Sequence, residues 1–179
     1  MAETVEERRG FYWVLYIGIA FALFFIHFLP QQTMPSRIAP PDVMMALTFA
    51  WTIRRPEFVP LLLVAATFLL ADLLYHRPPG VLAACTIIGV EFLRSRAHDM
   101  RRAPFPLEWV LVGVTIIGVF TLARLITGLA LIPQAPLGLT IVQVVMTIAF
   151  YPAVVAISHF VFKVQSTLQG SVEDIGSRV

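Results

Sequence analysis

Three side chains that can carry charge or hydrogen bonds stand inside stretches otherwise fit for hydrocarbon: Asp72, Arg124 and Gln143. An acid, a base and an amide at similar membrane depth would form a polar centre. A lone charge near the bilayer centre costs at least about 2.5–3.5 kcal/mol, so a partner or an aqueous cavity is required. The expectation is an interhelical pair between Asp72 and Arg124 with Gln143 nearby, which would fix helix packing or bind a partner's transmembrane helix. Snorkelling towards the headgroups and a substrate pocket are the alternatives at this point.

Other chemistry finds little footing. The chain has one cysteine, Cys85, which excludes an internal disulfide framework and any multi-cysteine metal site. It lies in an apolar run and reads as a small packing residue. His27 and His159 lack metal-ligand neighbours at helical spacing and read as packing or interfacial residues. Glu91 stands three residues before Arg94, where a helix-surface ion pair accounts for it. His98-Asp99 forms no recognisable catalytic set, and no phosphate loop, nucleophile elbow or zinc-protease motif occurs. The reading is a non-enzyme without cofactor.

The elements that must position these groups are membrane helices. Of 179 residues, 58% are hydrophobic and 13% charged, with a mean hydropathy of +0.82. Ordinary globular domains are about a quarter charged. Phe58 to Ala71 is apolar all round except for Thr67, unlike the striped helices of water-soluble proteins. The expected fold is all-α, a membrane domain over residues 1–163 with six spans at about 11–29, 42–53, 57–75, 79–93, 107–132 and 137–162. Phe11–Leu29 is too long for a signal-peptide core and lacks a small-residue cleavage site, so it reads as a retained span. Span 42–53 is short, with Asp42 as its N-cap and Arg54 and Arg55 at its other end. Pro60 is expected in the first turn of span 57–75, and Pro152 as a kink in the last. Residues 164–179 read as a disordered cytoplasmic tail. Counted at 1.5 Å per residue, Asp72 lies about 6 Å, Gln143 about 9 Å and Arg124 about 12 Å from the outer boundary.

Charge sets the expected topology. With six spans and an inner N-terminus, ten of the thirteen basic residues fall inside: Arg8, Arg9, Arg54, Arg55, Arg94, Arg96, Arg101, Arg102, Lys163 and Arg178. Only Arg37 and Arg77 fall outside, with Arg124 inside a span. The bias requires the short second span to cross and puts both termini in the cytoplasm. The basic inner loop with Arg94, Arg96, Arg101 and Arg102 reads as a topology signal that also attracts anionic lipid, at about 1 kcal/mol per side chain; nothing here points to nucleic acid. Gly18 with Ala22, Gly113, Gly118, and Ala149 with Ala153 are expected to line helix-packing grooves.

One stretch carries a resemblance. Pro41-Asp42 opens the short span, and Trp51 with Arg54-Arg55-Pro56 closes it. Leu70-Ala71-Asp72-Leu73-Leu74 is followed by Pro79-Gly80, and Glu91-Phe92-Leu93-Arg94 ends the block. In order and size these features resemble the bacterial rod shape-determining protein MreD family, over nearly all of the membrane part. The chain departs at Phe68, where family members often have glycine. The resemblance implies an inner-membrane subunit of the cell-wall elongation machinery. Its partners would be the bitopic protein MreC and, through it, RodA, the elongation penicillin-binding transpeptidase and MreB filaments. The family is also similar to the six-helix substrate-binding subunits of energy-coupling-factor vitamin transporters, so a small-molecule or lipid-binding subunit is the other function it admits.

Overall fold

The computed structural model describes residues 2–28, 39–100 and 103–160, with side chains over 10–27, 39–100 and 103–159. They form six α-helices: α1 (Ala2–Phe28), α2 (Val43–Arg54), α3 (Leu61–Leu74), α4 (Val81–Met100), α5 (Phe105–Leu129) and α6 (Leu137–Phe160). No strand occurs among the described residues. Among the described residues three segments are long and apolar enough to cross a membrane: Gly10–His27, Phe105–Leu129 and Leu137–His159. Val43–Arg54 and Leu61–Leu74 are shorter apolar helices.

The hub is α2. All ten residues from Met44 to Ile53 are buried, and the helix packs against α1, α4 and α6. At about 18 Å it is too short for a bilayer core of about 30 Å, yet an apolar helix buried all round is what such a sequence demands. Asp42 caps it as expected, its side chain accepting from the Met45 amide at 3.0 Å. Thr48 and Thr52 return their hydroxyls to the carbonyls four residues back, so their polarity is satisfied inside the helix.

Several boundaries differ from the sequence reading. The span expected over 57–75 is broken: Pro56–Phe58 is a separate 3-10 turn and α3 begins at Leu61. Pro60 is the N-cap of α3 in extended conformation rather than a first-turn residue; its carbonyl accepts from the Leu63 and Val64 amides, and lacking an amide it leaves no donor unpaired there. α4 runs about two turns past Arg94, to Met100. Pro152 lies inside an uninterrupted α6. The expected tail over 164–179 lies outside the described residues, as do Arg37, Arg101, Arg102 and Lys163.

Helix directions alternate. Trp13 of α1 donates to the Glu57 carbonyl, Arg54 of α2 meets Glu108 of α5, and Trp51 reaches Ser158 of α6. These contacts define one end of the bundle, called here the Arg54 end. His27 of α1 packs on Tyr75, just beyond α3, at a ring separation of 4.3 Å, which marks the opposite, Asp72 end. The start of α1 and the finish of α6 therefore share the Arg54 end.

Small residues pack differently from expectation. A Cβ on Gly18 or Gly118 would meet nothing within 4 Å, and Ala22, Ala149 and Ala153 are exposed. Gly113 makes ordinary contact with Ile148. The closest approach is at Gly89 of α4, where a Cβ would stand 2.9 Å from Val119, 3.1 Å from Phe49 and 3.2 Å from Thr115.

Candidate functional site

Polar side chains gather at the two ends of the bundle. At the Arg54 end, Glu108 is 7% exposed and enters on the first turn of α5. Arg54 Nε donates to its Oε1 and Nη2 to its Oε2, each at 3.3 Å. Tyr151 of α6 donates its hydroxyl to Oε1 at 2.7 Å. One carboxylate thus joins α2, α5 and α6, and the planar guanidinium fork suits it. Beside it the Trp51 indole donates to Ser158 at 3.2 Å, while its ring contacts Tyr12 and Tyr16 of α1. The single hydroxyl hydrogen of Thr48 is spent on Met44, so Tyr16 is the donor in the 2.8 Å bond between them. Arg55 lies 3.3 Å from Glu57. Arg94 pairs with Glu91 at 3.1 Å, as the spacing predicts, and reaches back to the Val59 carbonyl at 2.9 Å. Arg96 lies over the Phe92 ring.

At the Asp72 end the geometry corrects the expected pair. Asp72 is wholly buried, and its Oδ2 accepts from the amides of Gly80 (3.1 Å) and Ala83 (3.2 Å), at the start of α4. A carboxylate against a helix N-terminus is favourable by charge and by hydrogen bonding. Gly80 adopts φ +84°; added bulk would meet only Leu69 at 3.9 Å, so conformation is what calls for glycine. The other oxygen, Oδ1, is buried without a hydrogen bond. Arg124 turns elsewhere: its Nη1 donates to the Ala135 carbonyl (3.0 Å) and the Thr140 hydroxyl. The two do not pair, because α3 and α5 each pack on α4 rather than on one another. Gln143 contributes its backbone carbonyl to Thr147, and no hydrogen bond joins its side chain to Asp72 or Arg124.

Compared with known proteins, the chain matches no family model, no curated protein and no solved structure. What its polar residues do must be read from their partners. Asp42, Trp51, Arg54, Asp72 and Gly80 each join one element to the next or close a helix end, while Glu91 pairs with Arg94 along α4. Pro41 offers its carbonyl to the Val43 amide, and Pro56 opens the 3-10 turn. Among the described residues no cluster of three metal-ligating side chains occurs.

Sequence reading missed Glu108 and Tyr151. The available signal was an acid four residues into an apolar helix, facing a span that ends in arginine. It also missed Gly89, which resembles any other membrane glycine until its neighbours are known.

Proposed function

We propose that this chain is a non-catalytic membrane scaffold of the bacterial cell-wall elongation machinery, of MreD type, that binds MreC and helps maintain rod shape. It would lie in the inner membrane with six crossings and both termini in the cytoplasm, at the Arg54 end. Through MreC it would act with RodA, the penicillin-binding transpeptidase and MreB. The observation that carries the reading is how the polar side chains of Pro41–Arg94 are used. Asp42 and Asp72 cap the starts of α2 and α4. Trp51 and Arg54 tie α2 to α6 and α5, and Arg94 ties α4 to the turn before α3. These groups therefore divide between two ends instead of converging on a common point. A catalytic or ligand-binding centre needs convergent polar groups, whereas a scaffold needs a rigid frame. The clustering of Arg54, Arg55, Arg94 and Arg96 at one end also agrees with the positive-inside pattern.

The test is copurification of the full chain with MreC from detergent-solubilised membranes, beside a binding screen against vitamins. Retention of MreC with no vitamin bound supports the scaffold. Vitamin binding without MreC overturns it in favour of a transporter-type subunit.

A further inference from the structure

The short hub leaves part of the bundle without a centre. Thr147 of α6 accepts the Asp42 amide at 2.9 Å, so Thr147 is level with the beginning of α2. The ten residues of α6 from Leu137 to Met146 therefore run about 15 Å beyond the start of α2. α5 accompanies them, held by Arg124 on Thr140 and by Gly113 against Ile148. From Thr121 to Met146 no residue of this hairpin is buried. α1, α3 and α4 contrast with it, since at the same end they bury Phe24, Ala71 with Asp72, and Leu82 with Ala83.

The uncovered part is not simply greasy. Thr140, Gln143 and Thr147 recur at helical spacing on the face that looks past α2. Among the described residues the Gln143 carboxamide has no hydrogen-bond partner, and Arg124 uses only Nη1 and has no carboxylate in ion-pair range. Lipid tails offer neither group a partner. A headgroup phosphate would serve Arg124, but Gln143 lies about 9 Å along the helix from its end, and its short stem does not reach the headgroups. A neighbouring helix with an acceptor at that depth serves both, which is how amides hold membrane helices together.

We propose that the α5–α6 hairpin beyond the start of α2 seats a partner's membrane-spanning helix, one that presents a carboxylate or carboxamide to Arg124 and Gln143. This rests on the scaffold reading and names the face through which the scaffold works. The partner helix leans across the start of α2, with half-buried Leu122, Leu139 and Val144 as its apolar bed.

The experiment is photocrosslinking in membranes carrying the full chain and MreC. Photoreactive residues replace Leu122, Leu139 or Val144, and, as controls on other helices, the exposed Leu62 or Ile88. Crosslinks to the transmembrane helix of MreC from the first set and not the second are expected. Combined Arg124→Leu and Gln143→Leu should lower retained MreC about tenfold at unchanged membrane level, the scale of lost interhelical hydrogen bonds. Should that variant fail to accumulate, the crosslinking pattern alone decides. Crosslinks from Leu62 or Ile88 only would overturn the assignment of this face and leave the scaffold standing. Adducts from the first set to phospholipid alone, or to a second copy of the chain, would also overturn it. Loss of MreC at every position, with none copurified, would sink the scaffold reading itself.

Discussion

Glu108 satisfies two neighbours with one carboxylate, and that makes it the most sensitive side chain at the Arg54 end. Removing one partner of a buried ion pair strands the other, at about 3–5 kcal/mol. Glu108→Ala should therefore destabilise strongly in chemical unfolding of the detergent-solubilised protein. Tyr151→Phe removes one hydrogen bond to a charged group and should cost about 1.5–3 kcal/mol. Replacing Arg54 and Glu108 together by Met and Leu should cost much less than Glu108→Ala alone; a cost equal to the sum of the single changes would show that they are uncoupled. Asp72 offers a parallel case. Asp72→Asn keeps an acceptor for the Gly80 and Ala83 amides, whereas Asp72→Ala leaves both bare, so hydrogen exchange at those amides should quicken in the alanine variant only.

Between elements, the tightest constraint is where α4 crosses α2 and α5. Gly89 leaves its neighbours no spare space there. Gly89→Ala should destabilise by about 1–3 kcal/mol, the usual cost of overpacking, despite alanine's better helix propensity. Gly18→Ala and Gly118→Ala meet open surroundings and should be neutral or slightly stabilising. Thermal unfolding of the three variants side by side checks this; equal behaviour would mean that the α4 crossing is loose. The small-residue pattern found Gly113, which meets Ile148, but missed Gly89 and included Gly18 and Gly118, because spacing reports which residues share a face, not which face meets another helix.

For the molecule as a whole, alternating helix directions bring the start of α1 and the finish of α6 to the same end. With the Arg54 end in the cytoplasm, a reporter fused after Val179 should be active only as a cytoplasmic fusion, and one inserted after Pro79 only as a periplasmic one. Opposite activities would invert the proposed orientation. The amino-acid order by itself determined that the chain is helical and apolar, with six helical segments, Asp42 as a cap, Glu91 beside Arg94, and Cys85 buried. Those features depend on composition and on contacts within a few residues, which a linear pattern contains. Tertiary structure alone decided that Asp72 closes the start of α4 while Arg124 binds the α5–α6 connection, that Glu108 gathers Arg54 and Tyr151, and that Gly89 is the close crossing. Position along a helix is one coordinate and is legible from residue counts. Which helix stands beside which is set by rotation and neighbour order, and those emerge only when the whole bundle packs.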